Sequence, residues 1–355
     1  QRPIVLLRKK QGSVASVLSE SVSPNNNYIG CMLPYTPLHY LLFHQHNTTS
    51  DKPNFRALVM TSGNLSEEPI VRDNEEAMRK LSGLVDGFLL HDRDIFMRVD
   101  DTVLRVRNES NSELRNQNSQ LMFIRRSRGY APEPIPLHDD GPEVLGCGAD
   151  LKNTFTLTKG AYAIPSQHIG DMENYETLRF YEECLENLKQ VYRVEPVAIA
   201  HDLHPAYLST RWAKEPVRND LKRFEIQHHY AHIGSVMAEH GLKGPLIGVA
   251  LDGTGYGTDG NLWGGEFFIA GIDDFKRVGQ FRYMPLPGGE AAIREPWKTA
   301  VSLVSENSGA KAGDVFEKIG FSKRYGKQTL EQVAKISGIK EVSPLSSGAG
   351  RLFDA

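Results

Sequence analysis

Leu246-Ile247-Gly248-Val249-Ala250-Leu251 runs directly into Asp252-Gly253-Thr254-Gly255-Tyr256-Gly257-Thr258-Asp259-Gly260. An apolar run that stops at turn residues fits a buried strand. A carboxylate at the C-terminal end of such a strand faces the crevice where α/β proteins bind ligands, which makes Asp252 a candidate site residue. The glycines permit a tight turn whose backbone N–H groups can approach phosphate, so Gly253 and Gly255 are candidate nucleotide contacts; a plain hairpin is the competing reading. Trp263-Gly264-Gly265-Glu266 and Leu286-Pro287-Gly288-Gly289 add two Gly-rich turns, and Gly288 and Gly289 face the same choice.

Upstream lies Gln227-His228-His229-Tyr230-Ala231-His232. Helical residues four apart project from one face, so His228 and His232 can share a metal ion. His229 with His232 is the rival pairing. With Asp252 beside the pair, two imidazoles and a carboxylate suit Zn²⁺ or Fe²⁺. His201-Asp202-Leu203-His204 also looks metal-like, but its place after a strand and before Pro205 favours a structural turn.

Further out, strands alternate with helices, which predicts an α/β sheet. Pro196–Ala200 and Phe267–Ala270 read as strands, Tyr207–Lys214 as a helix, and Val144–Ala149, Phe155–Thr158 and Ala161–Pro165 as a meander. Tyr175, Leu178, Tyr181, Leu185, Leu188 and Val191 recur at helical spacing and predict one apolar stripe. Pro132–Pro136 followed by Asp139–Pro142 reads as an extended, unpaired linker, because proline removes ladder donors. Before it, Ala57–Met60, Phe88–Leu90, Thr102–Val106 and Leu121–Ile124 are strand candidates, Glu75–Leu81 a short helix, and Asn108–Gln120 a solvated hairpin loop. Thr61, Ser62 and Asn64 supply groups that hydrogen-bond phosphate and ribose, or cap a turn. Arg98, Arg126 and Arg128 suit phosphate oxygens, and Asp100 and Asp101 can hold Mg²⁺; surface ion pairs are the alternative.

The 355 residues suggest two domains; 40% are hydrophobic and 24% charged, ordinary values for a globular protein. No apolar run approaches the ~18 residues of a spanning helix, so no membrane partner is expected. A net charge of −3 lacks the basic footprint of a DNA-binding protein. Cys31, Cys147 and Cys184 form neither a disulfide framework nor a zinc pair, which predicts a reducing, cytoplasmic setting. The chain opens without Met in a strand-like run and stops in an incipient helix, so it reads as a fragment.

Taken in order, these strings resemble a known family along nearly the whole chain. Met60–Ser66 with Glu68-Pro69-Ile70, Arg98–Asp101 and Arg126–Pro132 are similar to the YrdC-like domain of HypF, the carbamoyltransferase family of NiFe-hydrogenase maturation. His201–Pro205, Gln227–His232, Asp252–Gly257, Pro285–Gly289 and Ser346–Asp354 are similar to its TsaD-like domain. The resemblance implies an α+β YrdC-like domain over 1–135, lacking its N-terminal part. It implies a TsaD-like, actin/Hsp70-type domain over 143–355, lacking its C-terminal lobe. It further implies that ATP and Mg²⁺ convert carbamate, released from carbamoyl phosphate, into carbamoyl-adenylate. The carbamoyl group would then pass to the C-terminal cysteine of HypE beside one Zn²⁺ or Fe²⁺, with His228, His232 and Asp252 as catalytic metal ligands. The isolated 355 residues are expected to be inactive or nearly so. The alternatives are a YrdC/TsaD-type enzyme modifying tRNA with threonylcarbamoyl groups, and a non-catalytic nucleotide-binding fragment.

Overall fold

The computed structural model describes residues 1–10, 18–43, 55–106, 121–218 and 220–355. The predicted loop Asn108–Gln120 lies outside them. The chain divides into two units, Gln1–Ile199 and Ala200–Ala355, and the division falls inside the strand Ala198–Asp202.

Unit 1 opens with a four-stranded sheet of β1 (Ile4–Arg8), β2 (Tyr28–Cys31), β3 (Val103–Val106) and β4 (Leu121–Arg125), in the order β2-β1-β3-β4. β1 pairs antiparallel with β2 and parallel with β3. Helix α1 spans Pro37–Phe43 and α2 spans Asn74–Leu81. Asp73 starts α2 by accepting from the Glu76 N–H at 2.8 Å, and Glu75 and Glu76 favour the positive end of its dipole. Two expected strands are not strands: Ala57–Met60 and Phe88–Leu90 are irregular, with Val59 78% and Leu89 72% exposed. An apolar run becomes a buried strand only where neighbours pair its backbone, and among the described residues neither run has a ladder partner.

The second sheet of unit 1 contains β5 (Ile135–Gly141), β6 (Val144–Gly146), β7 (Thr156–Pro165) and the first two residues of β8 (Ala198–Asp202), in the order β5-β7-β6-β8. β5 occupies the stretch expected to be an unpaired linker. It pairs with β7 at Ile135, Pro136 and Gly141 across an irregular register. Proline is tolerated because β5 is the edge strand, where one side of the ladder is open. β7 is also continuous, where two strands were expected. Helix α3 (Tyr175–Tyr192) is capped by Asn174 and buries Phe180, Tyr181, Cys184, Leu185 and Leu188. The ends of the predicted stripe are exposed, Tyr175 by 67% and Val191 by 70%.

Unit 2 begins with the last three residues of β8, Ala200–Asp202, and β9 (Lys222–Ile226) follows in the chain. A second sheet holds β10 (Leu246–Tyr256), β11 (Leu262–Ala270), β12 (Phe275–Gln280), β13 (Met284–Pro285) and β14 (Leu345–Ser346), in the order β10-β11-β14-β13 with β12 also on β11. The helices are α4 (Leu208–Ala213), α5 (His228–His240), α6 (Glu290–Arg294), α7 (Trp297–Ser308), α8 (Ala312–Lys318), α9 (Phe321–Tyr325), α10 (Lys327–Ser337) and α11 (Ala349–Asp354). Ile233 and Met237 of α5 pack against Ala250, Trp263, Phe268 and Ala270, which clamps the helix onto β10 and β11.

β10 departs from the reading of its sequence in two ways. It does not end at Leu251 but continues to Tyr256 through a register shift between Leu251 and Gly255. Asp252 therefore sits in a bulge, where the extra residues re-aim its side chain. The strand is also half-buried: Ile247 and Leu251 are 78% and 62% exposed. Gly264-Gly265 lies inside β11 rather than in a turn.

Candidate functional site

The first turn of α5 is pinned before its histidines are placed. The Gln227 side chain accepts from the Tyr230 N–H at 2.9 Å and donates to the Tyr256 carbonyl at 3.1 Å, tying the helix start to the end of β10. His228 and His232 then lie one turn apart beside the bulge. Donor atoms of His228, His232 and Asp252 all fall within 4.8 Å of one another. From the Asp252 carboxylate, Nε2 of His228 is 3.3 Å away, of His229 3.6 Å and of His232 3.9 Å.

Hydrogen bonds distinguish the imidazoles. His228 Nδ1 meets the Asp202 carboxylate at 2.6 Å. A carboxylate only accepts, so Nδ1 carries the proton of the neutral ring and Nε2 keeps its lone pair for a metal. His229 is the reverse: the Gln227 amide donates to its Nδ1 at 3.2 Å, which puts the proton on Nε2. That buried N–H faces Asp252 and finds no closer partner. The tautomers favour His228 over His229 as a ligand beside His232.

Electrostatics points the same way. Burial works against a charged His228, but the bonds to Asp202 and Asp252 outweigh it and raise its pKa to about 9. Asp252 is driven well below the usual carboxylate range despite its burial, by His228, His229 and the Gly253 N–H. Burial and the nearby His228 charge lower His232. Two carboxylates around one imidazole thus favour positive charge at this point, which a proton or a metal ion can supply. Two imidazoles and a carboxylate, with a second carboxylate behind one ring, match the donor chemistry of Zn²⁺ or Fe²⁺.

The glycines serve packing here. A Cβ on Gly255 would lie 2.5 Å from His229 Cε1 and 2.8 Å from His228 Cδ2, so only glycine leaves room for both rings. A Cβ on Gly348 would lie 2.2 Å from the Gly253 carbonyl, where the chain entering α11 crosses the bulge. Gly288 and Gly289 both have positive φ and lead into α6.

Asp202 is the residue that the sequence reading missed, because it was assigned to a structural turn. Its carboxylate does hold that turn, accepting from the His204 N–H at 2.8 Å, but its other oxygen orients His228. The available signal was an acid ending an apolar strand, the same pattern that singled out Asp252.

Unit 1 contains a cavity of about 490 Å³ whose lining includes Ser62, Asn64, Arg98, Asp100, Lys152 and His168. Much of the predicted machinery has internal partners. The Asn64 amide donates to the Leu65 and Glu68 carbonyls at 2.8 and 3.1 Å. Arg98 donates to the Ile70 carbonyl and pairs with Glu183 at 3.2 Å. Arg128 pairs with Asp101 at 2.6 Å, binds the Gln1 and Arg2 carbonyls and stacks on Tyr35. Arg126 donates to the Glu133 carbonyl. Thr61 is exposed and outside the cavity lining. Cys147 and Cys184 are buried, and burial pushes the Cys184 thiol up to about 12, which keeps it protonated.

Three family models cover this arrangement. Residues 1–117 match a model of the Sua5/YciO/YrdC group described as "Telomere recombination"; 139–239 match "HypF Kae1-like domain"; 248–355 match "Carbamoyltransferase, Kae1-like Domain, second subdomain". The class is therefore a mixed α/β protein with a Sua5/YrdC-type segment followed by Kae1-like segments. Carbamoyltransferase HypF2 of Cupriavidus necator is 42% identical over 100% of this chain and 43% of its own length. Carbamoyltransferase HypF of Rhizobium leguminosarum is 39% identical over 100% of this chain and 43% of its own length. A crystal structure titled as full-length HypF in the phosphate- and nucleotide-bound form superposes with a TM-score of 0.84, at 42% identity over 100% of this chain and 51% of that one. The chain belongs to the HypF carbamoyltransferase family. It spans about 43% of the length of those two curated relatives. Among the described residues, no helix is long and apolar enough to cross a membrane.

Proposed function

We propose that this chain carries the adenylation and transfer segments of a cytoplasmic carbamoyltransferase of NiFe-hydrogenase maturation. In this reading, ATP and Mg²⁺ activate carbamate derived from carbamoyl phosphate, giving carbamoyl-adenylate and pyrophosphate. The carbamoyl group then moves to the C-terminal cysteine thiolate of HypE, on the way to the cyanide ligands. Carbamate is a poor electrophile, and adenylation provides it with a good leaving group. The adenylate would hydrolyse in bulk water, which an enclosed cavity prevents.

The observation that carries this reading is the convergence of His228, His232 and Asp252 in a chain of this family. These three would hold a Zn²⁺ or Fe²⁺ ion, which when bound would polarise a carbamoyl carbonyl or bind phosphate oxygens. Asp202 keeps His228 in the ligating tautomer, and Gly255 leaves its ring room. Ser62, Asn64, Arg98 and Asp100 are the residues we assign to the nucleotide, because they line the cavity. The acceptor brings its own thiolate, so the buried cysteines need no catalytic part.

The test is ATP-dependent transfer of radiolabel from carbamoyl phosphate to the HypE C-terminal cysteine, in a HypF chain carrying this segment. Transfer is expected to disappear with His228→Ala. Undiminished labelling in that variant would overturn the assignment of the metal cluster to the reaction.

A further inference from the structure

We propose that Lys152 and His168 complete the unit 1 cavity as a site for a nucleoside phosphate, Lys152 opposing the phosphate charge and His168 presenting its free Nε2 to the ligand. The inference rests on the nucleotide reading above and adds residues from the segment matching the Kae1-like model.

Among the lining residues up to Asp100, the charged groups are largely matched within the protein. Arg98 serves Ile70 and Glu183, and Glu68 pairs with Lys80 at 2.7 Å. The lining segment from Lys152 to Asp171 is built differently. Asn153, only 2% exposed, donates from its amide to the Cys147 and Ala149 carbonyls at 3.0 and 2.5 Å, closing the turn that presents Lys152. The Asn153 N–H then binds the Gly170 carbonyl at 2.8 Å, and the Ile169 N–H returns to the Asn153 carbonyl at 2.9 Å. This bridge sets Lys152 beside the loop that carries His168. The Asp171 carboxylate accepts from the Lys152 N–H at 2.6 Å and fixes the backbone further.

Two functional groups on this segment, the ammonium of the exposed Lys152 and one ring nitrogen of His168, have no protein partner among the described residues. Among the described residues, no carboxylate pairs with the Lys152 ammonium. His168 Nδ1 meets the Asp100 carboxylate at 2.7 Å, so Nδ1 carries the proton. Nε2 has no protein partner among the described residues and belongs to a ring lining the cavity. A scaffold that fixes a cation and an imidazole beside a cavity of nucleotide-accommodating size, and leaves both free, is suited to a phosphate-bearing ligand. Asp100 is a positioning residue in this scheme, acting through His168.

Calorimetric titration of the full chain with Mg²⁺-ATP and with adenosine tests the inference. Lys152 has φ +49°, a left-handed conformation that glycine adopts freely, so Lys152→Gly serves alongside Lys152→Gln. Both are expected to weaken Mg²⁺-ATP about tenfold and leave adenosine unchanged. His168→Asn keeps a donor for Asp100 but removes Nε2, and is expected to weaken Mg²⁺-ATP to a similar degree with an unchanged melting temperature. Wild-type affinity for Mg²⁺-ATP in a Lys152 or His168 variant removes that residue from the site. An equal loss for adenosine in the Lys152 variants assigns Lys152 a structural role and overturns its part. If the wild-type chain binds neither probe, the nucleotide reading of the cavity falls and takes this inference with it.

Discussion

In unit 2 the candidate metal centre draws its donors from the first two turns of α5 and a single bulge in β10, whereas in unit 1 the cavity gathers its lining from residues scattered between Ser62 and Phe180. The difference lies in how charge is handled. The cluster of unit 2 places three imidazoles around one carboxylate and leaves the point between them favourable to a cation. The unit 1 cavity ties Arg98 to Glu183 and to a backbone carbonyl, and Glu68 to Lys80. A site that keeps an unbalanced charge announces its ligand; one that balances its charges internally has first to be shown where it is open.

The sharpest contrast comes from deleting ligands. Asp252→Ala or His228→Ala should take bound Zn²⁺ from about one equivalent to background, measured by elemental analysis of purified protein. Asp202→Asn keeps a group beside His228 Nδ1 but removes the charge that sets the tautomer. It is expected to lower Zn²⁺ affinity about 10- to 100-fold in a chelator competition. Wild-type affinity in that variant would erase the distinction drawn between the imidazoles.

Protons compete at the same point. The His228 pKa lies above the ordinary 6.5, at about 9, so metal binding must expel this proton across the neutral range. Apparent Zn²⁺ affinity should therefore rise as pH increases from 6 towards 9, by up to about tenfold per unit. The metal-free chain has the opposite dependence. The raised value stabilises it fully below about 6.5, and that contribution is lost as pH rises through about 9. A flat affinity profile between pH 6 and 9 would contradict the arrangement of Asp202, His228 and Asp252.

Unit 1 should respond in stability rather than in metal content. Arg128→Ala removes the partner of Asp101, two carbonyl contacts and a ring stack, and is expected to cost about 1–3 kcal/mol in denaturant unfolding with Zn²⁺ unchanged. The smallest effect is expected at the fully exposed pair Lys327–Glu317, whose neutralisation should leave the melting temperature within error.

How much was legible from residue order varies with how local the information is. The pair His228/His232 could be read because helical periodicity alone puts residues four apart on one face. Helix α3 could be read from apolar spacing, and β1, β3 and β4 from short apolar runs. The exposed Ala57–Met60 and Phe88–Leu90 runs could not, because apolar composition does not say whether a ladder partner exists. Nor could the pairing of β5, where edge position rescued a proline-rich segment.

Residue order established the α/β character, the family resemblance and the three candidate donors, two imidazoles and a carboxylate, since these rest on local periodicity and on motif identity. Only the tertiary structure decided that Asp252 sits in a bulge, that Asp202 stands behind His228, that Gly255 makes room for two rings, and that Lys152 and His168 reach the unit 1 cavity. Each of these depends on which distant backbone passes within a few ångströms, and the register, bulges and crossings that determine it are properties of the folded chain.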